Sequence, residues 1–205
     1  MGIIKDEYRD EYEKRAKEIQ SIFINAYFDY YYLRSLEPYL EKFQPKTDDE
    51  VALLLPARNF VNSVVRAIQE EFILVICSLE NKDGKANSLH QLKGRLHIFL
   101  DDFYLYQDSL LKMPTDDDNI KIVRNVAVAH INLNIECEGV YIEYVKNRLN
   151  ILKDRFNSYL FDDMLKYKID DNLIDKVATE SRIGVQQLFS GFVSAICDKS
   201  KLEGE

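Results

Sequence analysis

The segment from residue 57 to residue 80 has the sequence ARNFVNSVVRAIQEEFILVICSLE, and its periodicity is the clearest structural signal in the chain. Apolar side chains recur in it at steps of three and four residues: Val61, Val64, Val65, Ile68, Phe72, Val75, Ile76 and Leu79. This period is typical of an α-helix that buries one face. The apolar face widens towards the end of the segment, so we expect this helix to be the central one of a bundle.

Similar periodicity extends from this segment towards the N-terminus. It predicts a first helix from about residue 5 to residue 36, where Glu37-Pro38 should end or bend it because proline lacks the amide hydrogen. Residues 37–46 are then expected to form a loop or a short helical turn. Pro56 predicts a break or kink in the second helix.

Capping signals mark where several helices begin. Thr47 followed by Glu50, and Ser88 followed by Gln91, both match the capping box, in which each side chain binds a free backbone amide. The helix after Ser88 is expected to extend as far as Leu111. Further helices are predicted over residues 115–130, 136–167 and 171–198, the last one capped by Asp171.

The whole chain is expected to be all-α. It contains seven glycines and four prolines, and alternating strand patterns are nearly absent. Its 205 residues suit one domain with short flexible ends. We therefore predict a bundle of about six helices over residues 1–205.

Charge and cysteine content exclude several classes of protein. The net charge is -8, which argues against a general nucleic-acid coat but leaves room for a local basic cleft. Cys77, Cys137 and Cys197 form no closely spaced pair, so neither a disulfide framework nor a zinc knuckle is indicated. Signal-peptide and membrane-spanning patterns are missing, so we expect a cytoplasmic protein with no membrane partner.

One segment, RNVAVAH at residues 124–130, combines residue types that suit chemistry on a phosphodiester. The guanidinium of Arg124 can hold a phosphate through two parallel hydrogen bonds. The imidazole of His130 can exchange protons near neutral pH, and Asn125 offers both donors and acceptors. Together they suit cleavage of RNA by its own 2′-hydroxyl, with no cofactor or metal ion.

The spacing of this motif predicts a dimer. Six residues along a helix correspond to a rise of about 9 Å, and the two side chains point about 120° apart. One helix therefore directs Arg124 and His130 poorly at a single phosphate. A two-fold pairing of two such helices would place both sets in one cleft.

The motif and its helical setting resemble the HEPN superfamily of small helical ribonucleases. The family signature is Arg, four to six residues and His, commonly with a polar residue directly after Arg, and here it is Arg124-Asn125 followed by Val-Ala-Val-Ala and His130. A long helix before the motif and another after it are similar to the abortive-infection type of this family. The resemblance implies that Arg124 and His130 are catalytic, that Asn125 supports them, and that the protein is a dimeric toxin or phage-defence ribonuclease.

The sequence departs from one branch of this family. Members paired with a nucleotidyltransferase carry four residues between Arg and His, and a Tyr two positions after His. This chain has five intervening residues and Asn132 at the position of that Tyr, which argues against control by that kind of antitoxin. Another antitoxin or sensor protein is a possible partner.

Three alternatives stay open at this point. Arg124 could pair with an acid such as Asp118 or Glu136 on the surface, while His130 caps a helix end. The chain could be a catalytically inactive HEPN-like module that binds a partner protein, a nucleotide or RNA. It could also be an antitoxin or immunity subunit whose acidic surface covers a basic partner.

Other notable residues have ordinary structural interpretations. His90 and His97 are too few and too far apart for a metal site, and we expect them to be surface or half-buried histidines. The aromatic run at residues 27–32 is expected to fill the core, with stacking on RNA bases as the alternative. A stripe of mostly small residues in the last helix predicts close helix packing: Ser181, Gly184, Leu188, Gly191 and Ala195. Several cations are candidates to surround Arg124: Lys93, Arg95, Lys112, Lys121 and Arg148.

Overall fold

The computed structural model describes residues 3–81, 87–101 and 135–202. Within these ranges we number five α-helices in chain order: α1 (Arg9–Lys42), α2 (Asp48–Leu79), α3 (Leu89–Phe99), α4 (Ile135–Ser158) and α5 (Asp171–Leu202). Two 3-10 helices, Asp6–Tyr8 and Asp162–Tyr167, precede α1 and α5. The all-α prediction is confirmed for this part of the chain, while the helix predicted at 115–130 lies outside the described residues.

Helix α1 is the central element, and not α2 as the sequence suggested. It packs against every other described α-helix and against both 3-10 helices. Its buried side chains follow the helical period along almost its full length: Tyr12, Ala16, Ile19, Phe23, Ala26, Tyr27, Tyr30, Leu33 and Leu36. Buried side chains of α2, α3, α4 and α5 pack around this stripe of α1. One hydrophobic core therefore joins all five described helices.

Of the end or bend predicted at Glu37-Pro38, the end is wrong. The helix continues through Pro38 to Lys42, and Phe43 follows as its buried C-cap residue. A proline inside a helix costs about 3 kcal/mol, because one hydrogen bond is lost and the ring crowds the preceding turn. The buried Leu36 and Phe43 lie on either side of Pro38, and burial of each such side chain contributes about 1.5–3 kcal/mol. Tertiary packing thus outweighs the local penalty.

The N-terminus of α2 confirms the predicted cap with one difference. The Thr47 hydroxyl accepts a hydrogen bond from the Glu50 amide at 3.4 Å. The Glu50 carboxylate accepts from the amide of Lys46 at 2.7 Å, one residue earlier than a capping box requires. Helix α2 continues through Pro56, so of the break or kink predicted there the break is wrong. The predicted apolar stripe of α2 faces the core.

Helix α3 begins as predicted but ends early. The Ser88 hydroxyl accepts from the Gln91 amide at 3.3 Å, which confirms the N-cap. The helix ends at Phe99, because Leu100 has an extended backbone, is buried, and forms a β-bridge with Ile4. A helical continuation would break this contact with the N-terminal segment.

Helix α4 also ends earlier than the predicted residue 167. It ends at Ser158, and Asp162 has a positive φ of 47°, a left-handed conformation that interrupts a right-handed helix. The Asp162 carboxylate accepts hydrogen bonds from the amides of Ile3 and Ile4, at 2.6 and 3.1 Å. The chain therefore leaves the helix where it can bind the N-terminal segment.

Helix α5 is capped by Asp170 and not by the predicted Asp171. The Asp170 carboxylate accepts from the Leu173 amide at 2.9 Å. Of the predicted stripe, Ser181 is buried and Gly184 lies close to the Tyr32 ring of α1, whereas Leu188 and Gly191 are exposed. Among the residues of the stripe whose burial is described, only Ser181 and Gly184 take part in close packing.

Candidate functional site

The motif that the sequence singles out lies outside the described residues. Arg124, Asn125 and His130 all fall within residues 102–134, so their roles stay predictions. The structure does describe the segments that border this stretch on both sides, Phe99–Asp101 before it and α4 after it.

The segment before the motif is bound to the N-terminus of the chain. The Lys5 amide donates to the Phe99 carbonyl at 2.9 Å, and the Asp101 amide donates to the Ile3 carbonyl at 2.8 Å. Ile4 and Leu100 are both buried between these bonds. The chain is therefore attached to the core up to the last residue before the motif-containing stretch.

The segment after the motif is attached through α4. From residue 142 onwards its buried side chains are Val145, Arg148, Leu149, Leu152 and Phe156. The Arg148 guanidinium binds the Glu80 carboxylate at the end of α2, with Nε donating at 2.9 Å. Two further residues of α4 accept hydrogen bonds from tyrosines of α1, as Tyr27 binds Asn150 and Tyr30 binds Glu143, both at 2.8 Å.

Two of the cations predicted to surround Arg124 form ion pairs with other residues. Arg148 is buried in its pair with Glu80, which contradicts its expected role as a surface cation. Arg95 contacts Glu11 of α1 at 2.5 Å. Lys112 and Lys121 lie outside the described residues.

The histidine interpretation is confirmed, since His90 is half-buried and His97 is exposed. Across the three described ranges, three or more His, Cys, Asp or Glu side chains never come together in a way that could hold a metal ion. Cys77 of α2 is half-buried. We also find that none of the helices, as far as they are described, is long and apolar enough to cross a membrane.

The aromatic run at residues 27–32 belongs to the core as expected at Tyr27 and Tyr30, while its other three rings are half-buried and pack against the core. Tyr27 and Tyr30 are buried, and burial raises the pKa of both phenols above the ordinary value. They remain neutral donors to their partners on α4 at physiological pH. Base stacking would require accessible ring faces, so these two residues do not serve it in this arrangement.

The same run contains an acidic residue that sequence reasoning missed. Asp29 lines a cavity of about 360 Å³ together with Asn25, Phe28 and Tyr32 of α1 and Glu71 of α2. Its Oδ2 atom is buried and accepts no hydrogen bond from the described residues. Burial, and secondly the charge of Glu71, raise the pKa of Asp29 to about 7. The sequence feature that could have indicated this site is a single aspartate within a run of five aromatic residues.

Carboxylates with shifted pKa values are frequent in cavities at functional sites. This cavity is therefore a second candidate site, in addition to the RNVAVAH motif. Comparisons of the chain with models of protein families, with curated proteins and with solved structures found no match.

Proposed function

We propose that this chain is a metal-independent endoribonuclease of the HEPN type, and that it acts as a homodimeric toxin or phage-defence effector. The observation that carries the proposal is the RNVAVAH motif at residues 124–130 within an all-helical chain. The all-α fold of the described residues supports it, because the HEPN proteins that the motif resembles are helical bundles.

In the proposed reaction, His130 takes the proton of a ribose 2′-hydroxyl, whose oxygen attacks the adjacent phosphorus. The 5′-oxygen of the next nucleotide leaves with a proton from a protonated histidine, and the RNA retains a 2′,3′-cyclic phosphate. Arg124 stabilises the charge on the phosphorane, and Asn125 orients the reacting groups. General acid–base help of this kind raises a rate by roughly 10²–10⁴-fold.

The proposal requires two copies of the chain. On one helix Arg124 and His130 would point about 120° apart, so a composite cleft between two motifs suits one phosphate better. In such a cleft one His130 serves as base and the other as acid. Light scattering at micromolar concentration should therefore show a dimer, and a monomer would contradict the composite cleft.

RNA cleavage in the presence of a chelator tests the chemistry. The wild-type protein should cut RNA and leave 2′,3′-cyclic phosphate ends or their hydrolysis product. His130→Ala and Arg124→Ala should lower the rate at least a hundredfold. His97→Ala and Arg182→Ala are matched controls, because both residues are exposed on helices outside the motif.

Cleavage by His130→Ala at the wild-type rate would contradict the mechanism. RNA binding without cleavage by the wild type would instead favour the catalytically inactive binding module. The biological role has its own test. Expression of the wild type should arrest growth, and His130→Ala should relieve the arrest while the protein stays folded.

A further inference from the structure

The described lining of the cavity between α1 and α2 contains no residue of the RNVAVAH motif. Its four α1 residues, Asn25, Phe28, Asp29 and Tyr32, are spaced at three and four residues and so lie on one face of the helix. Glu71 borders the cavity from α2. A volume of about 360 Å³ is far larger than a single water molecule needs and is within the range of small-ligand pockets.

The charged side chains of the described lining are both acids, Asp29 and Glu71. The other three described residues that line the cavity are uncharged. On α2, Arg66 pairs with Glu70 at 3.2 Å. Burial and the charge of Glu71 both raise the pKa of Asp29, and among the described residues no cation lowers it. A bound cation would supply the missing opposite charge.

The rings in the lining indicate which kind of cation fits. Phe28 and Tyr32 stack with ring centroids 5.8 Å apart, and both lie beside Asp29 along the helix. Aromatic faces attract ammonium and guanidinium groups. Calcium and magnesium ions prefer shells of six or more oxygen ligands, whereas the described part of this lining has only two carboxylates, and the described residues form no cluster of three or more His, Cys, Asp or Glu that could hold a metal ion.

We propose that this cavity binds an organic cation, an alkylammonium or guanidinium group, between the carboxylates of Asp29 and Glu71 and the rings of Phe28 and Tyr32. The group could belong to a small free amine or to a lysine or arginine side chain of another protein. The recognition chemistry is the same in both cases. This site does not depend on the ribonuclease proposal, because none of its residues belongs to the motif.

Titration calorimetry of the full chain with agmatine and with butylammonium at pH 8 tests this binding. We expect saturable binding by the wild type and a loss of at least tenfold in affinity for Asp29→Asn, which keeps the shape of the side chain and removes its charge. Glu71→Gln should lower the affinity several-fold, and it should leave the fold intact because residue 71 is exposed. Asp175→Asn, an exposed acid on α5, is the matched control for net charge and should bind normally.

Two further titrations distinguish the sources of the cation. A capped Gly-Arg-Gly peptide that binds at least as tightly as agmatine would indicate a protein side chain, and a peptide that fails to bind would indicate a free amine. Absence of saturable agmatine binding, or equal binding by Asp29→Asn, would overturn the proposal. Displacement of agmatine by micromolar Mg²⁺ would also overturn it, in favour of a metal site.

Discussion

The guanidinium of Arg148 in α4 contacts the carboxylate of Glu80 at the C-terminal cap of α2. Nε donates to Oε1 at 2.9 Å, and Nη2 contacts the same oxygen. The two side chains are 7% and 19% exposed, so water screens this pair less than the other ion pairs that join described helices. The pair connects the end of α2 to the helix that follows the motif-containing stretch.

Removal of the Arg148 guanidinium should destabilise the protein strongly. We expect Arg148→Ala to lower the free energy of unfolding by about 2–3 kcal/mol, because the partly buried Glu80 carboxylate loses a charged donor. Urea unfolding measures the change. Arg66→Ala is the matched control, since its pair with Glu70 is exposed and should be worth less than about 0.5 kcal/mol. Equal losses in the two variants would show that burial of the Arg148 pair has no special weight.

Asp29 should make stability depend on pH. Its pKa is raised from the ordinary 3.8 to about 7, so folding takes up a proton between these values. Stability from this group is therefore lost as pH rises from about 4 to about 7, and the loss is complete above 7. Asp29→Asn should match the wild type near pH 4 and exceed it by about 1–2 kcal/mol at pH 8, an amount reduced because the residue is partly exposed.

Chemical unfolding of both proteins from pH 4 to pH 8 measures this difference. Asp175→Asn serves again as the control and should follow the wild-type curve. A stability difference between Asp29→Asn and wild type that stays constant across this pH range would contradict the raised pKa.

Asp162 should contribute through both its carboxylate and its backbone conformation. Asp162→Ala removes the acceptor of the Ile3 and Ile4 amides and places a Cβ-bearing apolar residue at positive φ. We expect the free energy of unfolding, measured with urea, to fall by about 2–3 kcal/mol. The free energy of unfolding should fall by about 1 kcal/mol less in Asp162→Gly than in Asp162→Ala, because glycine adopts this φ without strain. A larger loss in the glycine variant would exclude the backbone contribution.

Replacement of Pro38 should stabilise α1. In Pro38→Ala the new amide can donate to the Arg34 carbonyl and complete the helix at an exposed position. We expect a gain of about 1–2 kcal/mol, smaller than the full proline penalty because proline also restricts the unfolded chain. Thermal unfolding measures it. A loss of stability would mean that the helix is not continuous through residue 38.

The helices and their starting points were largely predictable because their signals are local. Thr47 and Ser88 were identified as N-caps, and each binds an amide only three residues away. The apolar stripe of α2 likewise reflects a period of three to four residues. The aromatic run at residues 27–32 was correctly expected in the core, although its Asp29 was not recognised as part of a cavity. The proposed catalytic residues Arg124, Asn125 and His130 remain predictions from the motif alone.

The sequence by itself determined the helical class, most helix starts and the faces that are buried, since these depend on neighbours within one or two turns. Only the tertiary structure decided where α3 and α4 end, whether α1 crosses Pro38, and that Arg148 is buried. The partners responsible are distant along the chain, as Ile3 with Asp162, Ile4 with Leu100 and Glu80 with Arg148. Local propensities differ by a few kcal/mol at most, so contacts of this kind can override them once the chain has folded.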